Sequence, residues 1–459
     1  MKRVISVLVG TALIGTGMVA SARAETLDQV LVKAYTTNPT LLAARAALRV
    51  TDEGVPQALS NWRPTVSLNA DAGRGNYYYN QFPNGYDQVR NPWDYGVSIT
   101  EPLYRGGRTV AATEEAKASV RAGRAQLEAT EQSVLLKAAT AFLDVVRDEA
   151  TVRLNINNVH VLQRQLEATR ERFRVGEVTE TDVSQAKARL ARAVADRIAA
   201  EGNLQSSRAH FRDVIGSPPE SPQEPKTAPK VPASIGDVQA LALAHNPDVI
   251  KANWTAMAAK HGIDVAVGAL LPTIALVGSY NRQYNEYTID SNSRNEQAMV
   301  EFSVPLYQGG ADYSKIRASK HTYGQRLIEA DQSRRDTLQT ADQAWQTLMT
   351  ARARVKAFRA QVAANKMALA GVEEEAKVGS RTVLDVLNAE QELFTSRVNL
   401  VTAEHDVLVG AFELKSAMGQ MTAQGLGLHV KVYDPRKHYD AVRGKWFGTG
   451  GDKAAYYKK

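Results

Sequence analysis

The chain contains no cysteine among its 459 residues, only 7% aromatic residues, and eight histidines scattered along its length. The absence of cysteine excludes disulfides, thiolate metal ligands, cysteine nucleophiles and the lipid anchor of a lipoprotein. The histidines form no ligand cluster in the sequence, and the G-x-S-x-G, P-loop and H-E-x-x-H motifs are all missing. The sequence therefore predicts no catalytic, cofactor-binding or metal-binding residue, and no enzymatic activity.

Long hydrophobic runs are also scarce. Two basic residues precede one apolar stretch over 4–19, and Ala-Arg-Ala at 22–24 fits a signal-peptidase site. We therefore predict that residues 1–24 are a secretory signal peptide and that the exported chain begins at Glu25. After residue 24 no run of 18 apolar residues occurs. If the exported protein spans a membrane, it must do so with β-strands.

Positive charge is concentrated at the two ends of the chain. Of the formal net charge of +7, residues 1–24 contribute +3, and residues 431–459 contribute +5 from eight basic and three acidic side chains. The rest carries −1, so a basic face for nucleic-acid phosphates is not predicted. The basic end is expected to be a solvated or partly disordered tail.

What the sequence does contain is a single long-range duplication. EPLYRGG at 101–107 returns as VPLYQGG at 304–310, and RVGEVTETDVSQA at 174–186 returns as KVGSRTVLDVLNA at 377–389, both displaced by 203 residues. NPTLLAAR at 38–45 returns 208 residues later as NPDVIKAN. One duplication at this period is unlike a solenoid array of short repeats. It predicts two similar halves of one body.

The two halves, 25–217 and 237–420, are joined by a proline-rich segment at 218–236, and each contains a seven-residue hydrophobic repeat. A strict seven-residue period predicts supercoiled helix packing. Helices over 107–174 and 310–377 would each run roughly 100 Å, at about 1.5 Å per residue. We predict a wall of antiparallel helices in which each half supplies one long helix and one stacked pair. The seam residues of the first long helix are Ala138, Val145, Val152, Val159, Leu166 and Phe173.

Between the helices of each half, two segments alternate apolar and polar residues with a period of two. They predict strands at about 64–79 and 93–104, separated by a turn-rich loop at 82–92, and at about 272–284 and 298–307. Strands of about ten residues with one apolar face are typical of transmembrane barrels. A soluble sheet with tyrosine at its rim fits the same pattern.

Glycines and aromatic residues mark the ends of these strands, as strand-to-helix turns and as two predicted interfacial girdles. Four strands cannot close a barrel, and open strand edges are not tolerated in lipid. The chain is therefore predicted to assemble with copies of itself, and the strand count alone allows two, three or four. The turn and girdle residues are Trp93, Tyr95, Tyr104, Gly106, Gly107, Tyr307, Gly309 and Gly310.

Together these features resemble the TolC family of outer-membrane channels of Gram-negative bacteria. The resemblance rests on the signal peptide, the paired PLY-x-GG turns, and the paired VG turns followed by TDV and LDV, and it covers residues 25 to about 420. It implies an α+β membrane protein that forms a homotrimer, with a 12-stranded β-barrel continuing into a 12-helix coiled-coil α-barrel. The linker 218–236 would lie in an equatorial belt, and the tail 421–459 would lie there or be disordered. YDPRKHYDAVRGKW at 433–446 resembles the tail of alphaproteobacterial members.

The resemblance also implies a function, the passive outer-membrane exit duct of a tripartite efflux or type I secretion system, with a periplasmic tunnel. The implied partners are a periplasmic adaptor (membrane fusion) protein, an inner-membrane RND or ABC transporter, and outer-membrane lipid; no nucleic acid is expected. The cargo would be drugs or secreted polypeptides. A periplasmic coiled-coil adaptor or a structural envelope protein is the alternative, but neither explains four alternating strands with aromatic ends.

Residue by residue, the resemblance places a gate at the hairpin tips. It assigns a latch arginine to Arg381, its acceptors to Thr181 and Asp182, and a constricting acid to Asp385. The residues alone agree, because opposite charges at neighbouring tips can pair, and carboxylates converging on a symmetry axis repel and favour bound cations or protonation. A solvated tip arginine and a helix-capping aspartate are the plainer alternatives.

Two positions depart from the family's gate. A second ring aspartate falls on Asn388, which leaves three carboxylates per trimer, and a latch tyrosine falls on Ala376. The sequence therefore predicts a weaker acidic ring and a simpler latch. The tips themselves, 175–178 and 378–381, resemble adaptor-docking surfaces, although helix-reversing glycines explain the same pattern. The docking residues would be Val175, Gly176, Glu177, Val178, Val378, Gly379 and Ser380.

Overall fold

Helices and strands follow one another in the same order twice along the chain. The computed structural model describes residues 25–80, 86–225 and 228–450. The predicted signal peptide lies outside the described residues, as does 451–459. In chain order the elements are α1 (Leu27–Thr37), α2 (Pro39–Asp52), α3 (Gly54–Leu59), β1 (Thr65–Ala72), β2 (Gly75–Tyr79), β3 (Tyr86–Arg90), β4 (Trp93–Arg105), α4 (Arg108–Arg174), α5 (Glu180–Ile215), α6 (Ile235–His245), α7 (Pro247–Val267), β5 (Thr273–Tyr284), β6 (Asn292–Ser303), α8 (Ala311–Lys377), α9 (Val383–Ala417) and α10 (Lys437–Val442).

The two long helices are confirmed, and so are their return helices. α4 and α8 each contain 67 residues, which corresponds to roughly 100 Å at about 1.5 Å per residue. α5 has 36 residues and α9 has 35. Gly410 of α9 faces the backbone of Leu348 on α8 with room for no more than a methyl group. Small seam residues therefore let the two helices of a hairpin approach closely, as the heptad pattern predicted.

The short helices that precede the sheet strands in each half are broken at a proline. Pro39 and Pro247 cannot extend a helix from its preceding turn, so α1 ends before Asn38 and α6 before Asn246. Each asparagine then caps the next helix: Oδ1 of Asn38 accepts from the Thr40 amide at 2.9 Å, and Oδ1 of Asn246 accepts from the Asp248 amide at 2.9 Å. The duplication thus extends to individual hydrogen bonds.

The four long strands form one antiparallel sheet in the order β1-β4-β5-β6. β4 pairs with β5 along its length, from Trp93 opposite Tyr284 to Arg105 opposite Thr273. This central pairing joins the two halves, whereas β1 and β6 each have one edge without a partner within the described part of the chain.

Three strand boundaries differ from the predictions. The strand predicted at 64–79 ends at Ala72, and β2 pairs with β3 in a separate ribbon, which places part of the predicted 82–92 loop in a strand. Pro92 interrupts the ladder there because proline has no amide hydrogen. The strand predicted at 298–307 corresponds to β6, which begins earlier, at Asn292, because a turn over 285–291 closes the hairpin there. It also ends earlier, at Ser303, because the residues that follow have no partner strand within the described part of the chain.

The hydrophobic interior lies between the helices. Its largest cluster joins α1, α4, α5 and the segment after α9, with Tyr35, Phe142 and Phe211 fully buried. Smaller clusters lie between α6, α8 and α9 and between the two hairpins near their tips. Of the helices in the described ranges, none is both long enough and apolar enough to cross a membrane.

The linker and the C-terminal segment both pack on the body. In the linker, Pro222 forms a bridge with Glu25, and the Gln223 amide donates to the Glu25 carbonyl at 3.0 Å. Met421, Ala423 and Leu428 are part of the largest hydrophobic cluster. The start of the predicted 421–459 tail is therefore packed on the body, whereas most side chains over 431–450 are exposed. Whether the tail lies in an equatorial belt stays a prediction.

Candidate functional site

Both helical hairpins end in the same turn, whose geometry requires glycine. Gly176 has φ of +82° and Gly379 has φ of +81°, a conformation that side chains with a Cβ disfavour. The Glu177 amide donates to the Arg172 carbonyl at 2.9 Å, and the Ser380 amide donates to the Glu375 carbonyl at 3.0 Å. These bonds are the six-to-one closure of a Schellman motif. The turns leave the valines beside the glycines, Val175 and Val378, 72% and 81% exposed.

The predicted gate aspartates cap the helices that follow the tips. The Asp385 carboxylate accepts a hydrogen bond from the Thr382 amide at 2.9 Å, and the Asp385 amide donates to the Thr382 hydroxyl at 3.2 Å. Asp182 forms the same capping box with Thr179. The donation from Thr382 to the carboxylate, assisted by Arg381, lowers the pKa of Asp385. Asp385 is therefore held in its charged form at neutral pH, at the start of α9.

Arg381 has a partner that the sequence analysis did not name. Its Nε donates to Oε2 of Glu375 at 2.7 Å, across the turn of its own hairpin. Within one chain, the structure does not bring Arg381 to Thr181 or Asp182. The turn places Glu375 beside Arg381, whereas the predicted acceptors lie on the other hairpin. A latch between the tips of neighbouring protomers stays a prediction.

Near the tips, Asn388 links the two hairpins of one chain. Its Oδ1 accepts a hydrogen bond from Nη2 of Arg189 on α5 at 2.7 Å. Val383 and Leu387 pack beside this link against apolar residues of the hairpin formed by α4 and α5, here called the outer hairpin. The sequence analysis missed Arg189. The available signal was its spacing, two helical turns after Asp182 and thus on the same face of α5.

The remaining predicted residues occupy the positions expected for turns and strand ends. Ala376 is buried, and its carbonyl accepts from the Gly379 amide. As an alanine it has no side-chain hydroxyl with which to form a latch. Gly107 and Gly310 have φ of +74° and +83° and directly precede α4 and α8. Both turns thus need the left-handed conformation that glycine allows. Gly106 and Gly309 also have positive φ, and Tyr104 and Tyr307 lie beside these turns and are exposed.

Aromatic residues cluster at the far end of the sheet. The rings of Trp93 and Tyr284 stack with centroids 4.0 Å apart, and Tyr95 lies 6.1 Å from Trp93. In the adjoining ribbon, the Arg90 guanidinium lies 3.6 Å from the centre of the Tyr77 ring. The sheet therefore has aromatic residues at both ends, and their role as interfacial girdles stays a prediction.

Known proteins share this arrangement. The model of the family described as "Outer membrane efflux protein" matches residues 30–217 and 238–420. The chain belongs to this family. It is 37% identical over 445 residues to the outer membrane efflux protein BepC of Brucella suis biovar 1 (strain 1330), covering 96% of each chain. It is 26% identical to the outer membrane protein TolC of Escherichia coli (strain K12), over 93% of this chain and 88% of that one.

A solved structure supports the fold. The CmeC outer membrane channel of Campylobacter jejuni superposes with a TM-score of 0.76 at 17% identity, covering 91% of this chain and 89% of that one. The resemblance to the TolC family and the fold predicted from it are confirmed. The chain is an outer-membrane transport duct of a Gram-negative bacterium and not an enzyme. Channels of this family act as homotrimers with an adaptor and an inner-membrane transporter.

Proposed function

We propose that this chain forms a gated exit duct that is closed at its periplasmic hairpin tips and opened by its partners. The observation that carries the proposal is the continuity between the sheet and the long helices. Within the described residues, the four-stranded sheet has one unpaired edge on β1 and one on β6, and β4 and β6 lead through glycine turns into helices of 67 residues, β6 after a short irregular segment. Three copies pair those edges into one barrel, and their helices continue the wall into a tunnel.

Asp385 supplies the charge of the gate. Each protomer places one capped, ionised carboxylate at the first turn of α9. In a trimer three such groups surround the axis, where they attract cations and oppose the passage of anions. Asn388 adds no negative charge, and its amide is bound to the cationic Arg189. The ring formed by three copies of this chain therefore carries three negative charges, fewer than a ring with two aspartates per protomer.

Opening requires the inner hairpin, α8 with α9, to move away from the axis. Near the tips it is held to the outer hairpin by the Arg189–Asn388 hydrogen bond and by the packing of Val383 and Leu387. We infer that an adaptor docks on the exposed tip valines and that this docking supplies the free energy for the movement. A passive duct has no energy source of its own, so direction and cargo choice, drugs or secreted polypeptides, lie with the inner-membrane transporter.

The test is the conductance of the purified, full-length protein in planar bilayers. Asp385→Asn removes the charge but keeps an oxygen that can accept from Thr382, so the helix cap is retained. We expect small currents blocked by divalent cations in the unaltered protein and a weakened block in the variant. Asp237→Asn is the matched control, because Asp237 also lies in the first turn of a helix, where its carboxylate accepts from the Ser234 hydroxyl at the N-cap, far from the tips along the chain.

Three results separate the alternatives. A block that weakens only in Asp385→Asn supports the gate. A block that persists there keeps the duct but removes Asp385 from the constriction. Failure of the protein to insert into bilayers would favour the periplasmic adaptor or structural protein.

A further inference from the structure

The segment 421–447, here called the C-terminal strap, is attached to the outside of the body at several points. Near its start, Met421 and Leu428 are buried in the largest hydrophobic cluster. The Tyr433 amide then donates to the Tyr35 hydroxyl at 2.9 Å. The Arg45 guanidinium lies 4.5 Å from the ring centre of Tyr35 and 5.1 Å from that of Tyr433. The first half of the strap is therefore fixed against α1 and α2.

The second half is fixed by α10. Nδ1 of His438 lies 3.2 Å from Oδ2 of Asp52, whose side chain is only 1% exposed. The Arg124 guanidinium lies 5.1 Å from the centre of the Tyr439 ring, and Val442 is buried. The strap thus follows α2 towards the strands and is not free to leave the body.

The strap ends at the foot of the sheet. Nη1 of Arg63 donates to the Lys445 carbonyl at 2.7 Å, and its guanidinium lies 4.8 Å from the centre of the Trp446 ring. Arg63 is separated from the first residue of β1 by Pro64 alone. Trp446 therefore lies at the level where the strands leave the helices.

At this level the strap presents large aromatic side chains that the chain itself does not cover. Trp446 is 57% exposed, Phe447 is 86% exposed, and the neighbouring Trp62 is 48% exposed. Clustered apolar residues on a fixed surface usually mark a contact with another molecule or with lipid. Tyr104, at the same end of the sheet, is also exposed.

Basic side chains flank these rings. Arg443 and Lys445 lie within three residues of Trp446, and Arg63 lies over its ring. Tryptophan and tyrosine are enriched where a protein crosses the boundary between lipid and water, and lysine and arginine beside them attract anionic headgroups.

We propose that residues 443–447, with Trp62, form an interfacial anchor in the periplasmic leaflet of the outer membrane. The rings of Trp446 and Phe447 enter the headgroup region, and Arg443 and Lys445 bind anionic phospholipid. Because the strap also packs against the equatorial helices, each of the three anchors ties the helical tunnel to the membrane plane. This inference rests on the proposed function, since it requires the sheet to be part of a membrane barrel.

Site-directed spin labelling tests the anchor, because the chain has no cysteine of its own. Single cysteines replace Phe447, Val432 earlier in the strap, or Ile99 on β4, all in the full-length protein in phospholipid vesicles. The accessibility of each label to oxygen, which enters lipid, is compared with its accessibility to a water-soluble nickel chelate. We expect lipid exposure at 447 and 99, and water exposure at 432.

Each other result overturns the anchor, and two of them leave the duct intact. A label at 447 that is as accessible to nickel as the label at 432, with lipid exposure at 99, shows a solvated end. A label at 447 that is shielded from both reagents shows that a neighbouring protomer covers it. Water exposure at 99 shows instead that the sheet is not in the membrane, so the proposed function fails as well.

The charge component has its own test. In vesicles with an anionic phospholipid, the label at 447 of the otherwise unaltered chain should have a higher ratio of oxygen to nickel accessibility than in zwitterionic vesicles. The double substitution Arg443→Gln and Lys445→Gln should abolish that difference. Lys431→Gln with Arg436→Gln, earlier in the strap, is the matched control and should keep it. If the first pair keeps the difference too, these two residues do not bind anionic lipid.

Discussion

Asp385 caps α9, and we propose that the same carboxylate is also the charge of the gate. Hydrogen bonds from Thr382 lower the pKa of its carboxyl below the ordinary value of 3.8. The carboxyl group is therefore ionised at every pH above its lowered pKa and loses its charge only when the pH falls below that lowered pKa. We therefore expect divalent block of single channels to stay constant from pH 7 to about pH 5 and to fall in more acidic solution. Loss of block already near pH 6 would show that repulsion among the three carboxylates outweighs the cap.

Arg189 is expected to hold the inner hairpin closed through Asn388. The hydrogen bond has a charged donor but lies at an exposed position, so its contribution is about 0.5–1 kcal/mol. Arg189→Ala should therefore raise the open fraction in bilayers roughly 2–5-fold. Asn388→Ala should raise the open fraction by the same factor. The double variant should open no further than either single variant, because all three variants remove the same hydrogen bond. Additive effects would mean that the two residues act separately.

Arg381 has two candidate roles that one pair of variants can separate. If it latches neighbouring tips, Arg381→Ser should raise conductance and make cells sensitive to vancomycin, a large antibiotic. Glu375→Gln removes the negative charge of its partner within the chain, which weakens that contact and leaves the arginine freer to reach a neighbour. Closed channels in Glu375→Gln, together with open ones in Arg381→Ser, would support the latch. Equal behaviour of both variants would assign the effect to the turn of the hairpin itself.

Among the elements, the helical hairpins depend on close approach at Gly410. A Cβ at this position would lie 3.5 Å from Cα of Leu348, which is ordinary contact. Gly410→Ala should therefore leave the urea midpoint of the purified trimer nearly unchanged, whereas Gly410→Leu overfills the seam between α8 and α9 and should cost about 1–3 kcal/mol. If leucine is tolerated as well as alanine, the seam is looser than the structure indicates.

How far the sequence predicts an element depends on whether its cause is local. The long helices were predicted to within a residue because the heptads lie within each helix and the glycine turns lie directly at its ends. The break at Asn38 was missed, although the following proline is a local signal. The end of β6 could not be found in this way, since it depends on which strand is available as a partner.

The candidate site was predictable to the same extent. Both tip turns follow from their glycines, and the capping by Asp385 was foreseen as an alternative to the gate. The Arg189–Asn388 bond was not foreseen, because it depends on how two hairpins face each other across 199 residues of sequence. The docking of residues 421–428 was not foreseen from the residues, because the net charge of the tail was considered without its apolar side chains.

At the scale of the whole molecule, assembly follows from the two unpaired edges of the sheet. If three chains close one barrel, β6 of each chain must pair with β1 of the next. A cysteine at Ala70 on β1, combined in turn with cysteines along β6, should give disulfide-linked trimers on mild oxidation of protein in membranes. The yield should alternate with a period of two along β6 and peak at one position, since a disulfide needs Cα atoms about 4.4–6.8 Å apart.

The single-cysteine variants distinguish this arrangement from chance collisions. Neither the Ala70 variant alone nor any β6 variant alone should form linked trimers. Each has a cysteine on only one of the two edges, and the chain has no other cysteine. The double variants should yield closed three-chain products and no longer chains, since the third link returns to the first protomer. Ladders beyond three chains, or equal yields at every position of β6, would contradict a closed barrel in which these two strands pair in a fixed register.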